Sequence, residues 1–295
     1  MAESILCFGE ILWDTIKDEM KPGGAPMNVA MHMKQQGLNV LIATSVGTDK
    51  AGDDLLEYLK ENELYSPLIQ QDAQFETCIV TVKLDKNFQA TYTIPSPVSW
   101  DNIRLTTELN EQARSASVLV FGSLACRLTK TKNTLIYLLQ NTSAIKVFDI
   151  NLRAPHYSIA TIKELGVLAD IIKLNDEELD ILTSKQPSLF TLQDKILHLS
   201  DILNCDKICV TRGDKGAIAY YNNNFYEHGG YVVDVVDTVG SGDAFLATFI
   251  ASILKKLPLK TALSDACCIG AFVASKRGAN PIYDLNEINK IRLAD

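Results

Sequence analysis

The residues best suited to chemistry are Asp237-Thr238-Val239-Gly240-Ser241-Gly242-Asp243, standing directly before the apolar run Ala244–Leu254. Two glycines around one serine let backbone N–H groups converge without obstruction from Cβ atoms. A helix opening at that point adds the positive end of its dipole. Such a turn is an anion hole suited to phosphate. Asp243 sets a carboxylate at its mouth, which repels a phosphate unless it has a task of its own. Taking the proton of an attacking hydroxyl is such a task, so the stretch reads as phosphoryl transfer to an alcohol. An ordinary helix-opening turn has the same spacing, and the motif alone does not choose between the two.

Other chemistries find little support. His32, His156, His198 and His228 are scattered, with no His-Glu-x-x-His and no nucleophile elbow, so a base would have to be a carboxylate. The seven cysteines contain no Cys-x-x-Cys, and Cys205-x-x-x-Cys209 has no histidine nearby. Buried reduced thiols are expected rather than zinc ligands or disulfides. The formal net charge is −8 with no basic block, which argues against nucleic acid and anionic membranes as partners. The Met-Ala-Glu-Ser start has no basic flank, and no apolar run reaches membrane length, so the expected compartment is the cytoplasm.

A second set of residues narrows the reading. Gly23-Gly24-Ala25-Pro26-Met27-Asn28-Val29-Ala30 is followed by Gly37 and Gly47. With Asp237–Asp243, it resembles the two signatures of the PfkB family of carbohydrate kinases, in the ribokinase-like superfamily. Gly23, Gly24, Pro26, Asn28, Ala30, Gly37 and Gly47 fit the first. Asp237, Thr238, Gly240, Ser241, Gly242, Asp243 and Ala247 fit the second, and Thr248 departs where that pattern has Gly or Ala. The resemblance implies an ATP-dependent sugar kinase using Mg2+, with K+ as an activating cation. Asp243 would be the base, with Gly240, Ser241 and Gly242 as the anion hole.

The resemblance also assigns sugar contacts to Asp14, Gly23, Gly24, Asn28, Gly122 and Arg153. Asp14 is expected where the first strand ends, the edge at which open α/β sheets bind ligands. Arg153 closes Asp149-Ile-Asn-Leu-Arg, similar to Asp-Pro-Asn-x-Arg in sugar kinases but with Ile150 for proline; a surface salt bridge is the alternative. Asn175-Asp-Glu-Glu178 is similar to an Asn-x-x-Glu motif in which Glu178 meets magnesium through water, and the same spacing describes a helix capping box. Thr211, Gly213 and Gly216 would touch ATP. Asp237, Val239 and the Ser275–Pro281 loop would hold the monovalent cation. Trp100 either shields the sugar or belongs to the core.

Elements must carry these residues to one place. Ser4–Gly9, Val40–Val46, Ser117–Gly122, Ile145–Ile150, Asp170–Leu174 and Lys207–Thr211 are short apolar runs, as in strands covered on both faces. Helical patterns at Met27–Gln36, Ala51–Asn62, Leu128–Gln140, Glu177–Thr183 and Leu192–Leu203 alternate with them. The expectation is a doubly wound α/β sandwich with a mostly parallel sheet. Asp243–Lys255 and Leu259–Lys276 read as buried helices separated by Pro258. Leu12–Met20 reads as a strand, and Thr77–Ile94 as a hairpin turning at Asp85–Phe88. The resemblance makes these a lid, about residues 12–21 and 75–100, inserted in a single domain spanning 1–295, and a contact for a homodimer. Lys17, Lys21, Lys83 and Lys86 would suit a phosphosugar or merely guard a strand edge.

The expected partners are a small-molecule sugar and ATP. Gly-Glu-Ile-Leu-Trp-Asp, Gly-Gly-Ala-Pro-Met-Asn and Phe-Gly-Ser-Leu-Ala look most like fructokinases, with ribose, 2-keto-3-deoxygluconate or a nucleoside as the other acceptors. A non-catalytic sugar sensor remains the reading from another class. A dinucleotide oxidoreductase is disfavoured because Gly9-Glu-Ile-Leu lacks Gly-x-Gly-x-x-Gly.

Overall fold

The apolar runs form strands because neighbouring positions bury on opposite faces. In strand β1 (Ser4–Phe8), Ile5 and Cys7 enter one hydrophobic cluster while Leu6 and Phe8 enter another. The computed structural model describes residues 4–16, 19–84, 90–184, 186 and 190–293. Lys17, Lys86 and the Asp85–Phe88 turn lie outside the described residues.

The chain continues through β2 (Leu12–Ile16), β3 (Glu19–Gly23), α1 (Ala25–Gln35), β4 (Asn39–Gly47), α2 (Lys50–Glu61), β5 (Ile69–Asp72), β6 (Ile79–Leu84) and β7 (Ala90–Thr93). Then come α3 (Thr107–Ser115), β8 (Val118–Gly122), α4 (Thr129–Asn141), β9 (Ile145–Asp149), α5 (Ile159–Gly166), β10 (Ile171–Asn175), α6 (Asp176–Thr183) and α7 (Leu192–Leu203). The last part holds β11 (Lys207–Thr211), β12 (Ala217–Tyr221), β13 (Asn224–His228), α8 (Ser241–Leu254), α9 (Leu259–Ala274) and α10 (Leu285–Leu293).

The main sheet runs β13-β12-β11-β10-β9-β8-β1-β4-β5, parallel from β5 to β11 and antiparallel at β12 and β13. Helices α1, α2, α8 and α9 cover one face, where Met27, Leu55, Phe245 and Ala266 meet Ile5 and Val120. Helices α3 to α7 cover the other, where Leu109, Leu135, Leu165, Leu179 and Leu199 meet Phe8 and Phe121. This is the ribokinase-like α/β architecture expected. The βαβ order puts the loops that carry Gly122, Arg153, Asn175 and Thr211 along one edge, the carboxyl ends of β8 to β11.

A second, four-stranded sheet runs β3-β2-β6-β7. The stretch read as one strand from Leu12 is therefore two, β2 and β3, paired antiparallel with Asp14 opposite Lys21. β3 carries Pro22, which suits an edge strand because it has no N–H to donate. Asp14 thus sits within this smaller sheet rather than at the end of β1, a correction that follows from its pairing with Lys21 on one side and Val80 on the other. Leu12, Cys78 and Val80 belong to the same apolar cluster as Phe121, so the small sheet is packed onto the core.

β12 and β13 were not read from the sequence, although Asn222-Asn223, both left-handed at φ 49 and 64, is the turn that a two-residue hairpin needs. β5 (Ile-Gln-Gln-Asp) and α3 also escaped, each having few apolar anchors, as did α5 and α10, which are apolar enough but short. All seven cysteines are buried and unbridged. Burial pushes the Cys7 thiol up to about 12, so it is inert at neutral pH. Thr248 fits its helix without loss. Its hydroxyl donates to the Ala244 carbonyl at 2.9 Å and accepts from the Gln36 side chain at 3.1 Å.

Candidate active site

Helix α8 opens at Gly240, whose φ of 79° lies in the left-handed region, and a Cβ there would strike the Ala279 backbone. Only glycine meets both conditions at low cost. The first α-type rung is Ala244 N–H to Gly240 O at 2.9 Å. The N–H groups of Ser241, Gly242 and Asp243 therefore precede the ladder. Ser241 N–H turns back to Thr238 O at 3.2 Å, and its hydroxyl donates to the same carbonyl at 2.8 Å. Ser241 braces the turn, then, and the donors left for an anion are those of its neighbours. Asp237 fixes the approach: Oδ1 accepts from Val239 N–H and Oδ2 from Gly278 N–H, each at 3.0 Å. That bond joins the 237–239 stretch to the Ser275–Pro281 loop.

Asp243 is oriented from α1. Asn28 Nδ2 donates to Asp243 Oδ2 at 2.8 Å, and Asn28 Oδ1 accepts from Asn280 Nδ2 at 2.9 Å. Asn28 was expected to meet a sugar with both ends of its amide. In the fold each end already has one protein partner, because α1 packs against α8 and buries Asn28 between them. Asn28 thereby orients the Asp243 carboxylate. Burial raises the Asp243 carboxyl above the usual carboxylate range, while Lys173, the Asn28 bond and Arg153 pull it back.

Three charged groups at the site were not singled out. Lys173, in the middle of β10, is 7% exposed, and its Nζ lies 3.1 and 3.2 Å from the two oxygens of Asp149. A Cβ on Gly242 would stand 3.1 Å from that Nζ, so the ammonium touches the first turn of α8. Glu10, just after β1, is 3% exposed, and its Oε2 has no hydrogen-bond partner in the protein. Burial pushes its carboxyl up to about 7, with Arg153 lowering it and Asp243 and Asp149 raising it. A lone charge within an apolar strand, as in Ile-Ile-Lys-Leu, was the signal available for Lys173.

Among the residues expected to meet the sugar, the Asp14 carboxylate lies against Gly23, where a Cβ would come within 2.5 Å of Oδ2. Gly24 caps α1 at φ 112°, and a Cβ there would meet Glu10 O at 2.5 Å. Gly122 ends β8 opposite Asp149. The exposed Arg153 donates to Leu152 O at 3.0 Å, and its charge pulls the carboxyls of Glu10, Asp14, Asp149 and Asp243 downward. Beside it a cavity of about 230 Å3 is lined by Ser96, Ser123, Arg127, His156 and Tyr157. Trp100 is core: it is fully buried beneath Arg127, which also pairs with Asp101 at 2.6 Å.

Among the residues expected to meet ATP and magnesium, Asn175 and Glu178 form the capping box, with Glu178 N–H to Asn175 Oδ1 at 2.7 Å and Asn175 N–H to Glu178 Oε2 at 2.9 Å. Glu178 Oε1 also accepts from Leu152 N–H at 2.7 Å, tying α6 to the loop after β9. Thr211 ends β11 and its hydroxyl donates to Leu174 O at 3.5 Å. Gly213, at φ 59°, opens the turn that follows. Gly216 is committed to the fold, since a Cβ would strike the backbone of His228 and Gly230.

Fold and site together define a ribokinase-like phosphotransferase architecture. Residues 2–285 match the model of the pfkB family carbohydrate kinases, and the chain belongs to that family. It is 29% identical over 308 residues to Fructokinase-2 of Solanum lycopersicum, covering 94% of this chain and 92% of the relative. A fructokinase from Xylella fastidiosa, solved with bound ATP, superposes with a TM-score of 0.85 at 21% identity, over 99% of this chain and 98% of that one. A fructokinase double mutant from Vibrio cholerae, in its fructose-, ADP- and potassium-bound form, gives a TM-score of 0.82 at 22% identity, over 98% of each chain. No described helix is long and apolar enough to cross a membrane.

Proposed function

We propose that this carbohydrate kinase transfers the γ-phosphoryl group of MgATP to fructose, with O6 as the attacking oxygen. The observation that carries the reading is Asp243, held by Asn28 at the opening of α8, beside N–H groups that a phosphoryl group would use. The choice of fructose rests on the motifs of the sequence and on relatives named fructokinase.

Asp243 takes the proton of the acceptor hydroxyl. The oxygen forms a bond to the γ-phosphorus while the bond from that phosphorus to the bridging oxygen breaks, and ADP leaves with the electron pair. The N–H groups of Gly242 and Asp243 stabilise charge on the group in flight. Asp14 and Arg153 hold the sugar, and closure of the small sheet excludes water. Thr211 and Gly213 border the nucleotide.

The residues present fit Mg2+ held through water. Both Glu178 oxygens are braced by backbone N–H groups, each keeping a lone pair, and among the described residues no three His, Cys, Asp or Glu side chains cluster as a cage. Bound there, the cation would neutralise phosphate charge. Asp237 and the Val239 carbonyl region would suit K+. We place the lid on one domain and assign the homodimer contact to its strands, a state that sedimentation would read.

The test is sugar-dependent release of ADP with fructose, ribose, 2-keto-3-deoxygluconate, glucose, adenosine and fructose 6-phosphate. Fructose should lead in kcat/KM, because a mismatched acceptor leaves buried polar groups unpaired. A lead for ribose or the keto acid keeps the mechanism and overturns the acceptor. No turnover of any of the six moves weight to a sugar sensor.

A further inference from the structure

We propose that Lys173 is a positioning residue for phosphoryl transfer, its ammonium supplying fixed positive charge beneath the first turn of α8. The proposal deepens the reading above and rests on Asp243 being the base. Lys173 reaches up from β10, a strand inside the parallel sheet, between β9 and β11. Its Nζ spans the gap between the Asp149 carboxylate, at 3.1 and 3.2 Å, and the Gly242 backbone, where a Cβ would stand 3.1 Å away. An ammonium has three N–H donors. The two contacts to Asp149 leave a third for the group above.

The groups that face Lys173 come from three elements: Asp149 on β9, Glu178 on α6 and Asp243 on α8. Arg153 and Glu10 act on the same carboxylates from the loops after β9 and β1. Burial alone favours the neutral amine, but the three carboxylates outweigh it and keep the group charged. Lys173 in turn is the strongest of the influences that draw Asp243 back toward the carboxylate form. A buried pair that serves only architecture can often be replaced by neutral residues without loss. This pair is set instead against the one turn where charge develops during transfer, and a preoriented cation in a dry site stabilises such charge with no reorganisation.

The experiment compares Asp149→Asn with the double variant Lys173→Met/Asp149→Asn, which removes the charge without orphaning a buried carboxylate. Folding is checked by circular dichroism, and kcat and KM are measured from pH 5 to 9. We expect the double variant to fold, to lose about 10- to 100-fold in kcat, to keep its sugar KM within about threefold, and to shift the acid limb of kcat/KM upward by about one pH unit. Asp149→Asn keeps the ammonium and should show no upward shift. A double variant with the parent's kcat and acid limb overturns the proposal, as does one that fails to fold, since the pair is then architectural. An active Asp243→Asn would instead overturn the base assignment, whatever Lys173 does.

Discussion

Asp243, half-buried, and Glu10, buried, are both carboxyls raised by desolvation, yet they differ in what faces them. Asp243 has Asn28 at 2.8 Å, whereas Glu10 Oε2 has no protein partner. Asp243→Asn keeps the shape and the Asn28 neighbour but removes the proton acceptor. We expect kcat to fall by roughly 10² or more with ATP binding largely kept, read by sugar-dependent ADP release alongside calorimetry. Near-normal turnover would remove Asp243 as the base. Glu10 gives a pH prediction. Its folded carboxyl titrates at about 7 against an ordinary 4.5, so the folded state holds the proton more tightly. The contribution of this group to stability is therefore greatest at low pH, falls as pH rises from 4.5 to 7, and is gone above that. The difference is worth about 3 kcal/mol. Glu10→Gln should melt higher than the parent at pH 8 and gain little at pH 4.5. Equal gains at both pH values would show that the carboxyl is not desolvated.

At the scale of elements, the first turn of α8 depends on two glycines for different reasons. Gly240 sits at φ 79° against Ala279, while Gly242 is helical and faces Lys173 Nζ. Gly240→Ala should cost stability, about 1–2 kcal/mol from the left-handed backbone plus the Ala279 contact. Gly242→Ala should leave the melting temperature nearly unchanged, because alanine favours a helix, yet lower kcat by disturbing the ammonium beneath. Melting curves and turnover on both variants separate the two. Equal loss of stability in both would show that the turn is simply crowded.

At the scale of the molecule, residues far apart in sequence are drawn to the same few ångströms. Asp237 bonds Gly278 across 41 positions, closing a cradle from two loops. If that cradle holds a monovalent cation, K+ should raise the rate above that in a bulky organic cation at equal ionic strength, and equal rates would remove the assignment. The small sheet is anchored in the same way. Asp49, capping α2 through Gly52 N–H at 2.8 Å, also accepts from Thr77 N–H at 2.7 Å, where the chain enters β6. The chain entering β6 is thus tied to the start of α2.

The amino-acid sequence by itself determined the parallel sheet and the helix that follows Gly240. These depend on apolar periodicity and glycine spacing, which are local, and α7 lies where the pattern put it, at Leu192–Leu203. Hairpin β12–β13 was within reach through Asn222-Asn223 and the apolar run Ala-Ile-Ala-Tyr-Tyr of β12, but β13, Asn-Phe-Tyr-Glu-His, carries a weak pattern. The tertiary structure alone decided what Asn28 does, since its partner Asp243 lies 215 positions away. It decided likewise that Asp14 belongs to the small sheet, that Glu10 is desolvated, and that Lys173 meets Asp149 under α8. Charge pairing, burial and side-chain direction are fixed by which elements pack together, and a linear pattern carries no record of those distances.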